Sequence, residues 1–167
     1  MTGWFTRTGS PLTPRERTVI GDLLRIAAPD APFEITAVAS WQEAAAFARL
    51  GGHDATWWNQ EEEERERLWT RASNLRSEAE LLQNLDAVAR GVQGEIREAA
   101  AAAAALAGVT DAAVIGEACA MALLAGHHNA LAELAGEGPG HRFVLKYALF
   151  EGGRWPLGYH SARFIIF

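Results

Sequence analysis

From Ser77 to Ala135 the chain is written in helix-forming residues with a single break, and this stretch limits the fold more than any other. Ser77-Glu78-Ala79-Glu80 is a capping box, in which serine and glutamate satisfy each other's end of a helix start. Leu81, Leu85, Val88, Val92, Ala99 and Leu106 then recur at helical spacing through a run of seven alanines, 99–105. Gly108-Val109-Thr110 breaks the pattern, and Thr110 is the expected cap of a second helix running to about Ala135. So short a break folds the two helices, 78–107 and 111–135, into an antiparallel hairpin. Alanine fills 33 of the 167 positions, and because it buries little area the hairpin must gain from close backbone approach.

The flanks add shorter elements. Thr13-Pro14-Arg15-Glu16 opens a helix whose apolar stripe is Val19, Ile20, Leu23, Leu24 and Ile26, and Pro29-Asp30-Ala31-Pro32 stops it. Phe33–Val38 alternates and reads as one strand. Ser40-Trp41-Gln42-Glu43 is another capping box, opening a helix that ends at Gly51-Gly52, and residues 57–75 form a charged helix with cap candidates at 54–56. In the last quarter, Phe143, Leu145, Tyr147 and Leu149 alternate, Glu151-Gly152-Gly153 turns, and Trp155–Phe167 returns. That pattern predicts a C-terminal β-hairpin. The final strand puts Phe164 and Ile166 on one face and Ile165 and Phe167 on the other, so both faces need cover, from a helix or a second subunit. The expected fold is therefore α+β in one domain, 1–167, with about five helices and a small antiparallel sheet.

The formal charge is −6, and residues 51–100 carry −5 of it, with 11 acids against 6 bases. There is one lysine, Lys146, beside 14 scattered arginines, so no basic block exists to neutralise a nucleic-acid backbone. No apolar stretch approaches the roughly 20 residues that span a bilayer, and no leader pattern opens the chain, which makes a cytoplasmic location the expectation. Cys119 is alone, which excludes an internal disulfide or a cysteine-rich zinc site.

Two groups of residues are candidates for function. Trp57 and Trp58 precede Glu61, Glu62, Glu63 and Glu64, an aromatic anchor beside an acidic rim suited to a basic protein. The alternative role for this run is a salt-bridged helix, through the i,i+4 pairs Glu61–Arg65 and Glu63–Arg67. The second group is Glu117 and His128, which lie within about 20° of each other on the 111–135 helix, on the large-apolar side where Val114, Met121, Leu124 and Leu131 cluster, and should be buried with outside partners. They are roughly 16 Å apart along the axis, too far to pair with one another.

Other motifs carry less. His127 and His128 point about 100° apart and cannot easily share one ion, and no metal-ligand spacing such as Glu-x-x-His occurs. His53-Asp54 resembles the central dipeptide of HD-type phosphohydrolases, but those enzymes need an earlier histidine and His53 is the first in this chain. Gly136–Gly140 follows a helix and contains Pro139 where an amide would be wanted, so it is a loop and not a phosphate cradle. No metal or other cofactor is called for. The sequence favours an acidic interaction protein, in the manner of an immunity protein or antitoxin that inhibits a basic partner, with a homodimer through the alanine faces also open. The competing expectation is a small-molecule-binding protein or enzyme that uses Glu117 and His128, with His127 or His160, in a pocket between helices and sheet.

Overall fold

The computed structural model describes residues 3–30, 33–49 and 55–167. Among them are six helices and three strands: α1 (Pro14–Ala27), β1 (Glu34–Ala37), α2 (Trp41–Arg49), α3 (Ala55–Leu75), α4 (Glu78–Leu106), α5 (Ala112–Leu134), α6 (Arg142–Glu151), β2 (Pro156–His160) and β3 (Arg163–Ile166). The fold is α+β, with the α4–α5 hairpin as its spine. Thr13 and Ser77 close reciprocal capping boxes with Glu16 and Glu80, while at α2 Ser40 accepts from the Glu43 amide and Glu43 accepts from the Ala39 amide. The expected ends at Pro32, at Gly51-Gly52 and at Asp54 lie outside the described residues.

The spine packs by its small residues. Ala100 and Ala104 of α4 and Ala118, Ala122 and Ala125 of α5 are buried in one cluster, whereas Leu106 is 92% exposed and Leu124 41% exposed. This corrects the expected phasing of α5, in which Leu124 belonged to the buried side. Closely approaching helices leave no room for leucine at the seam, so the large residue turns outward. On another side of α5, a Cβ on Gly126 would come within 3.2 Å of the Tyr147 ring, so glycine is what lets α6 lie against α5. The helix is capped by Asp111, whose side chain accepts from the Ala113 amide, and not by Thr110.

Residues 142–151 form a helix, and this corrects the expected hairpin partner. Phe143 and Leu149 fit both a two-residue and a helical repeat, but Arg142, Phe143, Lys146, Leu149 and Phe150 are the buried set. His141 decides the matter locally by capping the first turn, its ring accepting from the Phe143 amide. The hairpin instead joins β2 to β3 through Ser161 and Ala162, both at positive φ, as a right-twisted two-residue loop requires.

The sheet order is β1-β3-β2, with β1 parallel and β2 antiparallel to β3, so the sheet is mixed and β3 is central. Phe164 and Ile166 pack with Ile20, Leu23 and Leu24 of α1, while Ile165 and Phe167 pack with Phe5, Trp41 and Trp155. Both faces of the last strand are thus covered from within the chain. Arg154 ties the N-terminal segment beside it, donating to the carbonyls of Arg7, Ser10 and Pro11 and to the Glu16 carboxylate.

Removing residues 164–167 takes out four buried side chains and the middle of the ladder. At roughly 1.5–3 kcal/mol for each large side chain, the loss matches the whole stability of a typical domain. The truncated chain is expected to show no cooperative thermal transition by circular dichroism, and an unchanged melt would refute the central placement of β3.

Candidate functional site

Helix α3 has two chemically different sides. Its inward side carries Trp57, Glu61, Glu64, Leu68 and Ala72, a helical stripe that meets the sheet first, then α6, then the α4–α5 spine. Trp57 stacks on Tyr159 of β2 with ring centroids 5.9 Å apart. One turn on, Glu61 is 1% exposed, facing Arg142 and Lys146, which are one turn apart on α6. Lys146 Nζ donates to both Glu61 carboxylate oxygens, at 2.9 and 3.0 Å.

Arg142 is held differently. Its Nη2 lies 3.8 Å from Glu61 Oε1, close enough for charge attraction but too far for a hydrogen bond. Its guanidinium carbon sits 5.0 Å from the Trp57 ring centroid and 5.9 Å from that of Phe143, which gives a buried cation two aromatic faces. His128 of α5 stacks on Phe143 at 4.4 Å with a 24° interplanar angle. Among the described residues there is no hydrogen-bond partner for either ring nitrogen of His128, nor for Nε and Nη2 of Arg142. Exposure is 2% for His128, 7% for Arg142 and 8% for Lys146, so all three are interior groups.

Burial alone would push the Glu61 carboxyl up, but the bound Lys146 ammonium and the nearby Arg142 charge hold it below the usual range. Glu61 is therefore a carboxylate, and its oxygens are engaged by Lys146. His128 is driven the other way, to about 4, by burial first and by the Lys146 charge second. At neutral pH it is an uncharged imidazole, able to donate from one nitrogen and accept at the other. Two cations thus face the Glu61 carboxylate, and the half-buried Glu64 carboxylate also acts on Arg142.

A latch next to the cluster holds α6 in place. His141 Nδ1 accepts from the Phe143 amide, so Nε2 carries the proton and donates to Glu64 at 2.6 Å. The Arg67 hydrogen bonds, opposed by partial burial and aided by His141, bring the Glu64 carboxyl down to about 2. Arg67 and Arg71 also bond Glu137 at the far end of α5.

The tryptophan and glutamate patch is thus divided. Trp57 and Glu61 are interior and Glu64 is half-buried in the latch, leaving Trp58, Glu62 and Glu63 outside. The helix ion pairs are Glu62–Arg65 and Glu64–Arg67, three residues apart rather than the expected four. Glu117 is only partly buried and stands three turns from His128, with no part in the cluster. His127 sits edge-on to His128 with ring centroids 6.3 Å apart, His160 sits edge-on to Phe47, and Cys119 is a buried thiol raised by desolvation. His53 and Asp54 lie outside the described residues. No group of three or more metal-ligating side chains occurs among the described residues. Lys146 and Arg142 were not singled out by the sequence, because reading 142–150 as a strand hides their i,i+4 relation. Being the chain's one lysine, set among apolar residues, was the available signal.

No protein-family model, curated protein or solved structure matches this chain.

Because native His128 resists protonation while the unfolded chain takes up its proton near pH 6.5, stability should fall as pH drops from 7 towards 4. Denaturant titrations should show this group costing about 2 kcal/mol between pH 7 and pH 5. His128→Leu should flatten that slope, leaving the smaller contribution of His127, which burial also lowers. An equal slope in the variant would contradict a buried neutral His128.

Proposed function

We propose that this is a small-molecule-binding protein whose ligand is held where Glu61, His128, Arg142 and Lys146 converge. The observation that carries the reading is the pair His128 and Arg142, interior side chains with nitrogens that no group among the described residues satisfies. Leaving a buried donor unpaired costs about 1–3 kcal/mol, and native interiors rarely tolerate several together without a functional reason. Trp57 extends the site, since the same ring that carries the Arg142 guanidinium also lines a cleft of about 330 Å³ with Ala27, Pro29, Gln60 and Tyr159. Clefts of this size suit a small organic molecule.

This reading uses His128 as the sequence suggested but replaces Glu117 with Glu61. Acidic docking to a basic protein has less support, because Trp57 and Glu61 face inward and Arg65, Arg67 and Arg71 offset most of the remaining charge of α3. A cytoplasmic setting belongs to the same proposal, in keeping with one buried free thiol and with the absence of any described helix long and apolar enough to cross a membrane.

Equilibrium dialysis of the purified protein against a small-molecule extract of its source cells, read by mass spectrometry, tests the proposal. Wild-type protein should retain one species at close to one per chain. His128→Leu and Arg142→Met variants that keep a cooperative melt should lose it. Retention of nothing by the wild type, or equal retention by both variants, would overturn the reading.

A further inference from the structure

We infer that the ligand presents an oxyanion, a carboxylate or a phosphate, to the edge of Arg142 formed by Nε and Nη2. This rests on the ligand-binding reading and adds the charge and shape of the bound group.

The argument begins with what is already used. Both Glu61 oxygens are taken by Lys146, and the 3.8 Å gap to Nη2 leaves the guanidinium without a hydrogen-bonded carboxylate. The Trp57 and Phe143 rings, 5.0 and 5.9 Å from the guanidinium carbon, offer π-faces to the charge but no acceptor for its N–H groups. The two unpartnered nitrogens, Nε and Nη2, are neighbours on one edge and project parallel N–H bonds. That spacing matches two oxygens of a carboxylate or phosphate, the bidentate geometry in which arginine binds anions most strongly. A lysine at this position would supply charge without the fork.

Charge bears on the choice as well. Arg142 and Lys146 lie against the Glu61 carboxylate, and the Glu64 carboxylate also acts on Arg142 from the latch, where its oxygens are already engaged by Arg67 and His141. A cationic ligand would meet two cations here, whereas an anion meets the unpartnered edge of Arg142. His128 stacks on the same Phe143 ring that lies near Arg142, and its two ring nitrogens have no hydrogen-bond partner among the described residues.

The test uses the wild-type protein and three small probes: inorganic phosphate, benzoate and, as the uncharged isostere of benzoate, benzamide. Arginine Nε–H signals are followed by ¹H–¹⁵N NMR at fixed ionic strength set with sodium chloride, the Arg142 signal being assigned as the one missing from Arg142→Lys. The expected result is a saturable shift of that signal with phosphate or benzoate, and none with benzamide or chloride. Phosphate alone would mark a phosphate ligand, and benzoate alone an organic acid. Arg142→Lys, which keeps the charge but loses the fork, should bind the active anion at least tenfold more weakly. If that variant does not fold, the Arg142 signal is assigned by triple-resonance NMR and the wild-type titration decides. Absence of any saturable shift with either anion, an equal response to benzamide, or undiminished binding by Arg142→Lys would overturn the inference. A neutral molecule retained in the dialysis while neither anion titrates would leave the ligand-binding reading standing and remove this one.

Discussion

The Glu61 carboxylate, closed between the Lys146 ammonium and the Arg142 guanidinium, joins two helices that lie 85 residues apart in sequence. Two charges withdrawn from water are favourable only in the one geometry where they meet, so the pair fixes which face of α3 turns inward and where α6 must lie. Once Glu61 is set, helical spacing delivers Trp57 to the sheet, Glu64 to His141, and Leu68 and Ala72 to the spine. Apolar residues alone would tolerate slippage between α3 and α6. A buried ion pair does not.

Around this fixed point the packing follows residue size. The α4–α5 seam is made of alanines, and its large residues face outward or meet other elements. Gly126 lets α6 approach α5 at the level of Tyr147, and α6 in turn brings Phe143 under both His128 and Arg142. The site is therefore a consequence of close helix approach. Three helices meet around one phenyl ring, each contributing one or two polar groups that the others do not fully satisfy.

The parts of this arrangement legible in the sequence are those governed by local chemistry. Three capping boxes, the break at Gly108 and the helical repeat of 78–106 all mark their elements through neighbours within a few residues. The parts that escaped depend on partners far along the chain. Residues 142–150 satisfy two periods at once, and only packing against α5 and the cap from His141 choose the helix. Likewise four consecutive glutamates look equivalent on paper, yet Lys146 takes Glu61 inside, His141 takes Glu64, and Glu62 and Glu63 remain outside. His128 was found because burial can be read from helical phase. Its neighbours were not, because they come from α3 and α6.

The most direct test of this account is a double-mutant cycle on the buried pair, using Glu61→Leu and Lys146→Met and measuring unfolding free energies in denaturant. Each single change strands a buried charge and should cost about 3–5 kcal/mol. The double variant should be more stable than the sum of the single losses predicts by about 2 kcal/mol or more, since neither member of the pair is then left without the other, while the loss of Glu61 beside Arg142 is common to Glu61→Leu and the double variant. Losses that add to within about 0.5 kcal/mol would show that Glu61 and Lys146 act independently, and would contradict the claim that this pair sets α3 against α6.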